Sequence, residues 1–117
     1  MQTTEVEAWV DAYVHAWRTA SPKDIKALFA PAAEYHEWPY VTDWIGRAEI
    51  VEGWLSRQKW QEGGWEFEWS ILMINGDTAA IKGTGVYKEL GTFLNLWTVT
   101  FDKRGKCLMF RMWNNEI

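Results

Sequence analysis

The chain has 117 residues, and 12 Lys plus Arg against 16 Asp plus Glu leave a formal net charge of −4. That length suits one domain spanning residues 1–117. The acidic balance, with no basic stretch to offset it, excludes a module that binds DNA or RNA by neutralising phosphates. Ten Trp, five Phe and four Tyr in a chain that is 48% apolar exclude a disordered tail. Cys107 stands alone, cannot form an internal disulfide, and reads as a small buried apolar residue. Residues 1–7 carry neither the basic nor the apolar region of a secretion signal, and no apolar run approaches the roughly 18 residues of a membrane span. A soluble cytoplasmic protein with no nucleic-acid or membrane partner is expected.

Thr4-Glu5-Val6-Glu7 has the form of a capping box, predicting a first helix from Glu5 to Thr19. Val6, Trp9, Val10, Tyr13, Val14 and Trp17 recur at i, i+3, i+4 spacing and form its apolar stripe. Ser21-Pro22 opens a second helix, an N-cap followed by Pro at the first helical position, which runs through Ile25, Leu28 and Phe29 until Pro31 closes it. Ala33 to Trp38 is a short strand, with Tyr35 and Glu37 on one face and Glu34, His36 and Trp38 on the other. Asp43 to Gly46 reads as a loop. From Arg47 to about Trp60, Ile50, Val51, Trp54 and Leu55 return to helical spacing, and Gly63-Gly64 stops that helix.

Beyond it the period changes to two. Trp65, Phe67, Trp69 and Ile71 alternate with Glu66, Glu68 and Ser70, so the first group is core or pocket wall. Asn75-Gly76-Asp77 is a tight turn into a partner strand from Thr78 to Lys88, in which Gly83 and Gly85 suggest a bend or bulge. Thr92 to Phe101 and Lys106 to Trp113 complete a four-strand meander. The last strand alternates Leu108, Phe110 and Met112 with Cys107, Met109 and Arg111. Apolar residues on both faces argue for cover on both sides, hence a homodimer through the sheet. Three helices and a curved antiparallel sheet give an α+β fold, a cone-shaped roll with a hollow at one end.

This order resembles the nuclear transport factor 2-like superfamily, and within it the SnoaL-like and ketosteroid isomerase-like branches. The matching segments are Ala27-Leu28-Phe29-Ala30, Ala33-Glu34-Tyr35-His36-Glu37, Ile45 to Ile50, and Asn95 to Asp102. The resemblance implies the cone-shaped fold, and a superfamily of isomerases, cyclases, hydrolases, dehydratases and non-catalytic modules. Tyr13 matches the oxyanion-hole tyrosine of the isomerases and Glu37 their catalytic aspartate. Their third group, a carboxylic acid kept protonated by an apolar site, is matched by Trp97, with Asn95 on the same strand face as a replacement donor.

Ten indoles are hard to bury fully in so small a chain, so part of them line a cavity or an interface. The expected lining is Tyr13, Trp17, Tyr35, Glu37 and Trp54, with Asn95, Trp97, Met112 and Trp113 from the late strands. Trp38 and Trp44 are placed near its mouth. A carboxylate within aromatic walls is desolvated, which suits Glu37 to proton transfer on an apolar or aromatic small molecule. The competing reading is a non-catalytic binding or dimerisation module whose cone is filled by tryptophans. His36 faces away from Glu37, His15 lies off the apolar stripe, and two His with one Cys at no converging spacing predict neither metal nor cofactor.

Overall fold

A computed structural model describes all 117 residues, Met1–Ile117. Helix α1, Thr3–Thr19, turns Val6, Trp9, Val10, Tyr13, Ala16 and Trp17 inward, as the stripe requires. Its cap is Gln2 rather than Thr4. The Val6 N–H already bonds to the Gln2 carbonyl at 3.1 Å, and the Glu5 carboxylate accepts the Gln2 N–H at 2.9 Å, so the first turn closes before Thr4. The Ser21 hydroxyl accepts the Asp24 N–H at 3.4 Å and starts helix α2, Pro22–Lys26. That helix stops short of Phe29 because strand β1, Phe29–Trp38, claims the chain: the Cys107 N–H bonds to the Leu28 carbonyl at 2.9 Å and Phe29 pairs with Cys107. A register shift between Phe29 and Glu34 admits Pro31, which has no N–H for a ladder.

The expected loop at Asp43 is strand β2, Thr42–Ile45, antiparallel to β1 with Trp44 opposite Tyr35. Four residues are too few to declare a period. Helix α3 covers Arg47–Ser56, and a 3-10 turn at Gln58–Gln61 replaces its last expected turn. Strands β3 (Trp65–Asn75), β4 (Thr78–Tyr87), β5 (Gly91–Phe101) and β6 (Cys107–Glu116) form the predicted meander. The sheet order is β2-β1-β6-β5-β4-β3, and β1 lies parallel to β6, so the sheet is mixed rather than antiparallel throughout.

Two departures from simple alternation shape the inner face. A register shift where β5 meets β6 puts Cys107 and Phe110 both inside and leaves Leu108 outside, so Leu108 does not share a face with Phe110 and Met112. Gly83 and Gly85, by contrast, mark no bulge, since the β3–β4 and β4–β5 pairings run unbroken past both. A Cβ on Gly83 would lie 2.2 Å from Phe67 Cζ. Glycine there makes room for the ring, and Phe67 then lies flat between Trp65 and Trp97 at centroid distances of 5.6 and 5.2 Å.

The core fills the space between α1, α3 and the inner sheet face, where Trp9, Tyr13, Phe29, Trp54, Trp97 and Phe110 interlock as one cluster. The outer face carries a stacked pair, Trp38 on β1 and Trp113 on β6, 5.2 Å apart. No helix is long and apolar enough to cross a membrane.

Candidate active site

A cavity of about 440 Å³ opens between α1, the 3-10 turn and the inner face of the sheet. Seven of the expected residues meet on its wall: Tyr13 and Trp17 from α1, Tyr35 and Glu37 from β1, Asn95 and Trp97 from β5, and Met112 from β6. Helical spacing of four and strand spacing of two deliver each pair to the same side. Trp54 and Trp113 are not there. Trp54 is buried behind the wall, 4.7 Å from Tyr13 and 5.0 Å from Trp17 in edge-on contact, and its N–H meets no partner. Trp113 follows the inward Met112, so the strand's pleat carries it to the outer face, opposite Trp38.

Glu37 is the one carboxylate sealed inside the fold, 3% exposed. It is not left alone among apolar groups. Arg57 Nη1 donates to its Oε1 in an ion pair, Asn114 Nδ2 donates to its Oε2 at 3.4 Å, and Arg57 Nη2 donates to the Thr42 hydroxyl at 2.8 Å. The guanidinium lies between two indoles, 4.5 Å from the Trp44 ring centroid and 4.7 Å from that of Trp60. Such a sandwich holds the cation by ring electrostatics and by shape. The polar chain continues past Asn114. Asn95 Nδ2 donates to Asn114 Oδ1 at 2.6 Å, and Trp97 Nε1 donates to Asn95 Oδ1 at 3.2 Å. Asn95 is therefore a link in the wall rather than a free donor.

Deeper in the cavity the Tyr13 and Tyr35 hydroxyls lie 2.8 Å apart. One donates to the other, which leaves one phenolic proton uncommitted. Burial, then the neighbouring Tyr35, pushes the Tyr13 hydroxyl well above the usual tyrosine range. Burial and the Glu37 charge do the same to Tyr35 against smaller opposing pulls from Tyr13 and Arg57. Both stay neutral and able to donate. Tyr87, from β4, lines the same cavity, and its hydroxyl is likewise pushed up by burial. The Cys107 thiol lies in the core away from the cavity, and burial pushes it up.

Residues 10–112 match the sequence model of the SnoaL-like domain. The chain belongs to the SnoaL-like domain family. Solved structures similar to it share its fold at low identity. A protein of unknown function with a cystatin-like fold from Methylobium petroleophilum PM1 is 18% identical with a TM-score of 0.81, covering 100% of this chain and 80% of that one. A candidate ketosteroid isomerase from Kribbella flavida DSM 17836 is 16% identical with a TM-score of 0.74, covering 98% and 81%. An LEH-like epoxide hydrolase of M. tuberculosis is 18% identical with a TM-score of 0.65, covering 97% and 84%. No curated protein matches the sequence.

The ten tryptophans of this SnoaL-like domain do not fill its cone. Trp17, Trp60, Trp65 and Trp97 line the cavity, while Trp9 and Trp54 belong to the core behind it. Trp44 does not stand at the mouth: it stacks on Tyr35 at 5.0 Å and backs Arg57. Trp38 is not there either, because it shares the outer face with Trp113. Tyr40, Arg57, Tyr87, Asn114 and Glu116 are polar lining residues that no sequence pattern singled out. With the helix drawn to Trp60, Arg57 falls among ordinary polar positions, and only the end of α3 at Ser56 turns it inward. No pattern in the sequence announces that turn.

His36 faces outward, as strand parity predicts. Its Nδ1 lies 2.5 Å from Asp43 and its Nε2 3.0 Å from Glu34. No set of three His, Cys, Asp or Glu side chains converges to hold a metal.

Proposed function

We propose that this SnoaL-like domain binds an apolar or aromatic small molecule in its cavity and moves a proton on it, with Glu37 as general base or acid. The observation that carries the reading is the open volume of about 440 Å³ with a buried carboxylate on its wall. Ligand sites start at about 300 Å³ and pair apolar walls with a few placed polar groups. An open cavity also favours this reading over a cone stuffed with indoles.

The chemistry follows from the two polar clusters. Glu37 takes a proton from a carbon or oxygen of the ligand, and the released electron pair moves onto a ligand oxygen beside Tyr13 and Tyr35. Their uncommitted phenolic proton stabilises the charge that develops there. Returning the proton to another carbon completes an isomerisation, and handing it to a neighbouring hydroxyl that leaves as water completes a dehydration. Cyclisation and water addition use the same two clusters. Arg57 and Asn114 fix the carboxylate's direction, so Glu37 meets the ligand in one orientation. The epoxide hydrolase and the candidate ketosteroid isomerase among the similar structures are named for reactions of this acid–base kind.

The outer sheet face supports a homodimer. Trp38, Trp113, Leu94 and Leu96 are exposed there, an apolar surface of the kind a partner covers. A lone thiol and no disulfide fit a reducing cytoplasm.

Titration with 2-naphthol, read by tryptophan fluorescence, tests the binding half. The wild type should quench saturably, and Gly85→Leu, which sets a side chain into the cavity beside Trp65 and Tyr87, should abolish the response. A wild type that shows no saturable change would refute the reading.

A further inference from the structure

We infer that Trp17 and Tyr87 form a second oxygen-binding subsite in the same cavity, apart from the Tyr13–Tyr35 pair. The ligand would then carry two oxygens, phenolic or carbonyl, on an aromatic frame. The inference rests on the ligand-binding reading above and narrows its ligand class.

Trp17 is 7% exposed and lines the cavity, yet its Nε1–H has no hydrogen-bond partner. A buried donor left unpaired forfeits its hydration, at a cost of about 1–3 kcal/mol. In a native wall such an atom calls for an explanation. Tyr87 supplies half of one. It reaches the cavity from β4, and its ring packs on Trp65 at a centroid distance of 6.0 Å, the same indole that Trp17 meets at 6.3 Å.

The two donor groups are spaced by the helix that carries them. Trp17 follows Tyr13 by four residues, one turn of α1, or about 6 Å along its axis, on the same face. One turn apart, the Tyr13–Tyr35 pair and the Trp17–Tyr87 pair each present an N–H or O–H. The complement is an acceptor atom at each end of a flat ligand. Between them, Phe67 lies flat against Trp65 and Trp97, which makes that stretch of wall aromatic and without charge.

The test compares 2-naphthol with 2,6-dihydroxynaphthalene, which differ by the second oxygen, by fluorescence titration of the whole chain. The wild type should bind the diol about tenfold more tightly than the naphthol, the effect of one additional hydrogen bond. Tyr87→Phe should bring the two affinities to within twofold of each other, and Trp17→Phe should narrow the ratio in the same direction. Tyr13→Phe should weaken both probes and leave their ratio in place. A wild type that binds both probes equally, or a Tyr87→Phe variant that keeps the tenfold preference, overturns the subsite while the ligand-binding reading stands. A wild type that binds neither overturns both.

Discussion

Arg57 and Glu37, twenty residues apart in the chain, meet at the cavity wall, the guanidinium clamped between Trp44 and Trp60 and donating to the carboxylate. The clamp draws on three elements: β1 supplies the acid, β2 supplies Trp44 and Thr42, and the segment after α3 supplies Arg57 and Trp60. Breaking a buried pair strands a charge, at a cost of about 3–5 kcal/mol. Arg57→Met should therefore lower stability in urea by about 3 kcal/mol. Glu37→Gln combined with Arg57→Met leaves no lone charge and should recover most of that loss. Equal midpoints for Arg57→Met and wild type would show that the pair contributes nothing.

Gly53 faces Trp44 so closely that an added Cβ would lie 2.3 Å from the indole. Gly53→Ala must push Trp44 off Arg57, and overpacking of this kind costs about 1–3 kcal/mol. In a Trp44→Leu background the same substitution should be nearly neutral. An equal penalty in both backgrounds would locate the clash elsewhere.

The fold was legible in the sequence wherever a period runs long enough to declare itself. The stripe of α1, the parity of β1 and the alternation of β3 show their faces directly, and the first two bring Tyr13, Trp17, Tyr35 and Glu37 to one hollow. Short or punctuated segments hid the rest. β2 has only four residues, no Gly or Pro follows α3 directly after Ser56, and the shift between β5 and β6 moves Leu108 to the outer face. Arg57 depends on the same boundary: α3 stops at Ser56, and Trp44 and Trp60 flank the guanidinium that then reaches the cavity. Trp113 lies on the outer face because the inward Met112 sets the parity of β6, which an aromatic side chain does not change.

His36 ties β1 to β2 through Asp43, with Glu34 on its other nitrogen and Arg111 opposite it on β6. Burial pulls the imidazolium down, but the hydrogen bonds to Asp43 and Glu34 outweigh it and raise it above its ordinary 6.5. A histidine raised on folding binds its proton more tightly in the native state. Its contribution is therefore whole below about 6.5 and is lost as pH climbs through the raised value. The stability gap between wild type and His36→Gln in urea should thus narrow from pH 5.5 to 8.5. A gap that widens with pH would reverse the sign.

Trp113 stacks on Trp38 and remains 38% exposed. If the outer face joins two copies, Trp113→Glu places a charge at its centre. Light scattering at micromolar concentration should report twice the chain mass for wild type and the single chain mass for the variant. A wild-type monomer would contradict the dimer.

Proton transfer by Glu37 is the central claim, and deuterium uptake tests it without knowledge of the natural substrate. 2-Tetralone, an aromatic ketone with acidic C–H bonds beside its carbonyl, is incubated with the protein in D2O and followed by NMR. The account predicts exchange above the buffer rate with wild type, a fall of at least a hundredfold in the protein-dependent rate with Glu37→Gln, consistent with a loss of roughly 10²–10⁴ for one acid–base group, and binding of the ketone by both proteins. Exchange that Glu37→Gln leaves unchanged would contradict it.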